Sequence, residues 1–94
     1  MPHEALWDEA KREATLEERG LDFTSAEDLF SGLNYTTEDT WKDYGEQRYI
    51  SVGHISRRLC VIVWTPRGTQ RHIISMRKAN DREQKRFKTA LEQG

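Results

Sequence analysis

The sequence predicts a small α+β domain: a central antiparallel sheet of three or four strands, two helices before it and one after. Three observations predict this class. First, 94 residues with 33% charged side chains leave material for one core, because chains of this size rarely divide into two. Second, the runs Tyr49 to Ile55 and Leu59 to Thr65 are β-branched and aromatic-rich. The Ser56-Arg57-Arg58 connection between them is too short for a crossover helix, so they pair as an antiparallel hairpin. Third, helix start and stop residues bracket the polar segments on either side of these runs.

The first helix reads from WDEAKREATLEERG. Asp8 is placed to accept from free backbone N–H groups as N-cap, and Gly20 supplies the left-handed residue that ends the helix. Trp7, Ala10 and Ala14 share a face at helical spacing, with Leu6 beside them. Glu9, Glu13, Glu17 and Glu18 read as a solvated face. Thr24 and Glu27 have capping-box spacing and open a short second helix, which Phe23, Leu29 and Phe30 hold to the core. A strand over about Leu33 to Thr37 follows, then a polar, acidic connection.

In the strand RYISVGHI, Arg48, Ile50, Val52 and His54 face one way, and Tyr49, Ser51 and Ile55 the other. Gly53 signals a bulge or a close approach. RLCVIVWT is apolar on both faces, as in a central strand covered on both sides. Thr65-Pro66-Arg67-Gly68-Thr69 is a turn, with Pro66 setting φ and Gly68 free to take positive φ. The last strand runs from Gln70 to Met76. Asn80 and Glu83 form a second capping box, opening a helix whose apolar stripe is Phe87, Ala90 and Leu91.

The formal charge of −1 hides an asymmetry. Residues 1–52 carry 5 Lys/Arg and 13 Asp/Glu, a net −8, whereas residues 53–94 carry 10 and 3, a net +7. Either the halves neutralise each other in the fold or the basic half meets a charged partner. Cys60 is the only cysteine and lies in an apolar run, which reads as a buried thiol in a reducing cytoplasm. MPHEALWDEAKREA has no apolar signal core, and no stretch approaches a membrane span. No carboxylate pair has a glycosidase or protease context, and no glycine-rich phosphate loop follows a strand. His3, His54 and His72 are too scattered to form a metal site, so no cofactor is expected.

The segment RHIISMRKANDR places Arg71, His72, Arg77 and Lys78 around one short strand. Strict alternation puts Arg71, Ile73, Ser75 and Arg77 on one face, and Gln70, His72, Ile74 and Met76 on the other. Arg67 stands at the turn before them, and Arg48 opens an earlier strand. Guanidinium forks match phosphate oxygens bidentately. Such a cluster suits an RNA backbone and the charge that develops on a cleaving phosphodiester.

The pattern WDxxK…LxxxGLDF, then GEQRY, WTPRG and HIISMRKANDRE, resembles the BrnT toxin family of bacterial type II toxin–antitoxin systems. The likeness runs from Trp7 to about Phe87. Its motif positions are Trp7, Asp8, Lys11, Gly20 and Phe23, then Gly45, Glu46, Arg48 and Tyr49, then Arg67 and Gly68. The last group is Ile73, Ile74, Ser75, Arg77, Ala79 and Glu83. The resemblance implies a RelE-like ribonuclease fold, an RNA substrate and a ribbon–helix–helix antitoxin, BrnA, with operator DNA reached only through that antitoxin. Where the family usually has Asn, Lys-His and an Arg before IIS, this chain has Thr15, Glu18-Arg19 and His72. Two functions follow: a metal-independent endoribonuclease toxin, or a catalytically weakened relative acting mainly as a binding partner in a toxin–antitoxin repressor complex.

Arg48, Arg67, His72 and Arg77 are the expected catalytic residues. For Arg77 the competing reading is an ion pair with a carboxylate of the first helix. His72 is suited to proton transfer near neutral pH, or else is structural. Lys11, Tyr49, Arg71 and Lys78 are expected to bind RNA, Tyr49 by stacking on a base. Lys11 could instead pair along its own helix. Trp41 and Tyr44, in an acidic loop, are expected to anchor a protein partner, while Trp7, Phe23, Phe30 and Trp64 belong to the core.

Overall fold

A computed structural model describes residues 5–93, and the side chains of residues up to 90. His3 and the side chain of Leu91 lie outside the described residues. The elements are β1 (Ala5–Trp7), α1 (Glu9–Arg19), a 3-10 turn (Phe23–Ser25), α2 (Ala26–Ser31), β2 (Asn34–Glu38), β3 (Tyr49–Ile55), β4 (Arg58–Arg67), β5 (Gln70–Lys78) and α3 (Asp81–Gln93). The sheet order is β1-β5-β4-β3-β2. β1 lies parallel to β5 and all other pairs are antiparallel.

The sheet therefore has five strands and is mixed, which corrects the expected three or four antiparallel strands. β1 is three residues long, too short to show an alternating pattern, and it is held by pairing with Arg71 to Ile73. Trp7 accordingly ends a strand, packed against the core, and is not on a helical face with Ala10 and Ala14. Asp8 does cap α1, accepting from Ala10 and Lys11, and Gly20 closes it with φ +69°. Yet α1 buries no residue. Long cations attach it instead: beyond Ile73, where β1 no longer covers the edge of β5, Lys11 donates to the Ile74 carbonyl and Arg19 to that of Met76.

The Thr24–Glu27 capping box does not form. Asp22 accepts from the Thr24 N–H and starts the 3-10 turn, so α2 begins only at Ala26. Its carboxylate sits two residues before that N–H and reaches it first. The following strand starts one residue later than expected, leaving Leu33 outside it and 68% exposed. β4 continues through Pro66 to Arg67, so only Gly68 and Thr69 make the turn. The β3–β4 turn uses Ser56 and Arg57, both at positive φ, as a two-residue hairpin turn requires.

One face of the sheet carries the main core: Phe23, Ala26 and Leu29 pack with Ile55, Cys60, Ile62, Ile73 and Met76. Cys60 is a buried free thiol whose pKa burial pushes up, so it has little thiolate character. Ser51, fully buried on this face, takes the Trp64 indole N–H at 2.8 Å and bonds Thr36 at 2.7 Å. α3 attaches on the opposite face, with Phe87 buried edge-on against His54. Its Asn80–Glu83 capping box forms as expected. No helix among the described residues is long and apolar enough to cross a membrane.

Gly53 marks a close approach rather than a bulge. A Cβ there would come within 2.9 Å of Leu29 Cγ and 3.2 Å of Asn34 Cβ. Gly53→Ala is therefore expected to push α2 off the sheet and cost about 1–3 kcal/mol, as overpacking does. Urea unfolding at constant slope reads this directly, and an unchanged midpoint would show that α2 yields freely.

Candidate functional site

β5 carries one residue more than β4 opposite it. Val63 pairs with Ser75 but Trp64 pairs with Ile73, so Ile74 is the extra residue of a bulge. A bulge reverses alternation beyond it. Arg77 and Ser75 share a face as alternation requires, but His72 joins them, while Ile73 enters the same core as Met76. Arg71 passes to that core face. The expected grouping of Arg71, Ile73, Ser75 and Arg77 is thus corrected, because strict alternation takes no account of an inserted residue.

On the face that α3 partly covers, His72 stands half-buried between Thr65 of β4 and Leu6 of β1. Arg67 is two residues beyond Thr65 on the same face. The Thr65 hydroxyl donates to the Gln47 carbonyl at 2.6 Å, tying down the chain just before Arg48. Glu46 then lies 3.5 Å from Arg48 and 4.0 Å from Arg67. Arg48 stacks on Tyr44, its guanidinium carbon 3.9 Å from the ring centroid. Its buried Nε–H has no hydrogen-bond acceptor, so the 3.5 Å approach to Glu46 is an ion pair without a directed hydrogen bond. Two guanidiniums share the Glu46 carboxylate, and Asp39, whose backbone N–H donates to the Arg48 carbonyl, adds a second carboxylate beside Tyr44.

Arg77 lies five residues along β5 from His72, about 16 Å of strand. Its fork closes on Glu83, at 2.7 and 2.6 Å. The partner is thus the first turn of α3, not a carboxylate of α1. Glu83 also accepts from the Asn80 N–H, so Arg77 locks the joint between β5 and α3. The Arg77 hydrogen bonds hold the Glu83 carboxyl below its ordinary range; partial burial opposes the shift, and the Asn80 N–H adds to it.

The expected RNA-binding residues are dispersed. Arg71, on the core face, lies 4.1 Å from the Phe30 ring centroid and 5.2 Å from that of Trp64. Among the described residues its buried Nε–H is also without an acceptor. Tyr49 stacks on Trp64, with centroids 5.0 Å apart. Lys11 is engaged at the Ile74 carbonyl, and Lys78 ends β5 exposed. Of the pair expected to meet a partner, Trp41 is 84% exposed, whereas Tyr44 lies half-buried under Arg48. Among the described residues no cluster of His, Cys, Asp and Glu could hold a metal ion.

Of the five ion pairs between described residues, only Arg67–Glu46 joins the acidic half to the basic half. Direct pairing therefore does little to cancel the charge asymmetry. A model of the family described as the ribonuclease toxin, BrnT, of type II toxin–antitoxin systems matches residues 7–83. The chain belongs to the BrnT family. No curated protein matches it. The family match takes in Arg48, Arg67, His72 and Arg77 together with their carboxylate partners Glu46 and Glu83, and ends in the first turn of α3. The carboxylate partners are invisible in the sequence because the contacts are made by the fold. The cations Arg82, Lys85 and Arg86, expected with Lys88 to spread over the rest of the last helix, share one of its faces, since i, i+3, i+4 spacing places them there.

The Arg77–Glu83 fork makes stability depend on pH. Because the folded carboxyl titrates below the unfolded value of about 4.3, its contribution is present in full above that value and is lost as pH falls through the folded pKa. Wild type should therefore exceed Glu83→Gln in melting temperature at pH 6, and the two should converge well below pH 4. A constant gap between the two melting curves across that range would show that the fork contributes nothing through charge.

Proposed function

We propose that this chain is an endoribonuclease toxin that cleaves RNA to arrest growth and is neutralised by a cognate antitoxin. Membership of a family of ribonuclease toxins supports the activity. The observation that supports the place is the Arg48–Glu46–Arg67 group beside His72, two guanidiniums converging on one carboxylate. A phosphodiester would compete with Glu46 for both arginines, which would stabilise the charge that accumulates as phosphorus becomes pentacoordinate.

In this reading His72 takes the proton of the ribose 2′-OH as the 2′-oxygen attacks phosphorus. The P–O5′ bond breaks, and the departing 5′-oxygen takes a proton from water, leaving a 2′,3′-cyclic phosphate and a 5′-OH. No metal enters these steps. Arg77 supports the site by fixing the β5–α3 joint and becomes a phosphate ligand only if Glu83 releases it. Arg71 and Tyr49, on the opposite face with Trp64, form a second surface for single-stranded RNA leaving the site. Lys11 and Lys78 contribute field at the edges of β5. Trp41 offers an aromatic anchor to the antitoxin.

One observation favours the weakened-relative reading: Arg48, Arg67 and Arg77 already face carboxylates within the chain. Purified protein and RNA separate the two readings. Affinity should fall steeply with salt, and Arg67→Ala should reduce that slope by about one phosphate contact. His72→Gln should slow cleavage by about 10²–10⁴ while affinity and melting temperature hold. Cleavage that tracks stability across the variants would remove His72 from the chemistry, and RNA left intact at every salt concentration would favour the binding partner.

A further inference from the structure

An open groove of the domain lies away from Arg48, Arg67 and His72. It has a volume of about 680 Å³ and runs between α3 and the outer part of the sheet. Its floor is Tyr35 and Thr37 of β2 with their cross-strand partners Val52 and Ile50 of β3. Phe87 and Ala90 form the apolar part of the α3 wall. Tyr35 is 50% exposed, and the neighbouring Leu33 is 68% exposed. β2 is a terminal strand of the sheet, so nothing in the described chain covers this floor.

The rim is cationic. Arg82, Lys85 and Arg86 line the groove from one side of α3, and among the described residues the only carboxylate lining it is Glu83, which Arg77 already engages. We infer that this groove docks an acidic, amphipathic helix of the antitoxin, laid beside α3 with its apolar stripe on Ile50 and Val52 and its carboxylates against Arg82, Lys85 and Arg86. The partner rests on the toxin reading above. The chemistry comes from the groove: an aliphatic floor gains from burying apolar side chains, and three cations select carboxylates around them. RNA fits less well, because its phosphates would find the rim and a base could stack on Tyr35 but Ile50 and Val52 would stay in contact with water. A helix lying beside α3 would add a second helix to a two-layer arrangement that the domain leaves half built on this face.

The test uses the full chain and the antitoxin encoded beside it. Hydrogen exchange should show new protection in residues 35–37, 50–52 and 82–90 on forming the complex. Tyr35→Ala, at an exposed position, should weaken the complex at least tenfold with no change in RNA cleavage or melting temperature. Arg86→Glu should weaken it comparably and flatten its salt dependence. Absence of a complex, protection confined to the Arg48–Arg67–His72 end, or full-strength binding by both variants would overturn the inference. So would loss of RNA binding in Tyr35→Ala, which would make the groove an RNA surface. Because cleavage is measured on the same proteins, the two readings fail separately. Cleavage without groove protection removes only the groove assignment, and groove protection without cleavage removes only the nuclease.

Discussion

The extra residue in β5 governs most of what the domain presents to solvent. Ile74 has no counterpart in β4, and a one-residue insertion exchanges the faces of every side chain beyond it. Ile73 and Met76, three apart, can then fill the same core. His72 moves onto the face of Thr65 and Arg67, and Arg71 moves to Phe30 and Trp64. Were β5 a regular strand, Ile73 and His72 would trade places, leaving an imidazole in the core and an isoleucine in the candidate site. The bulge also lies where β1 has ended, so the carbonyls of Ile74 and Met76 take Lys11 and Arg19 of α1. A helix with no buried residue thereby gains its attachment to the sheet.

Carboxylates set how each basic residue is used. Glu83 takes both arms of Arg77 and also completes the cap of α3, so this arginine is spent on the joint between strand and helix. Glu46 is divided between Arg48 and Arg67 at longer range. Arg71 has no carboxylate among the described residues and rests on aromatic rings instead. Two arginines keep a buried N–H without an acceptor, Arg48 and Arg71. Buried donors without partners are costly, and both of these lie near the β4–β5 turn end of the sheet.

The two faces of the sheet also differ in how fully they are closed. The face under α2 is packed, with Gly53 allowing Leu29 against the strand and Ser51 satisfied between Trp64 and Thr36. The face under α3 is closed around Phe87 and open over Ile50 and Val52. An 11.1 kDa domain with so small a core has little stability in reserve. A partner bound to the open face of the native state would stabilise it by mass action. Closure on one side and exposure on the other suit a protein that works in two states, free and complexed.

The sequence by itself determined the elements whose causes are local. Asp8, Gly20 and the Asn80–Glu83 box bound their helices because caps act within four residues. Residues 49–55 and 59–65 declare themselves as strands by composition and pair as a hairpin because the chain between them is short, whereas the continuation of β4 through Pro66 to Arg67 does not. Composition and spacing also placed arginines at 48, 67, 71 and 77, and the motif pattern pointed to the BrnT family. Tertiary structure alone decided the rest. β1 exists because Ala5 to Trp7 meet β5 some 65 residues away, and three residues carry no period of their own. The Thr24 box is the exception, lost to an equally local competitor, Asp22, which accepts from the Thr24 N–H two residues on. The β5 bulge follows from its match to β4, so the faces of His72 and Arg71 could not be read along the strand. Which arginines meet carboxylates, and which stay available to an anion, depends on contacts that close only when the sheet has formed.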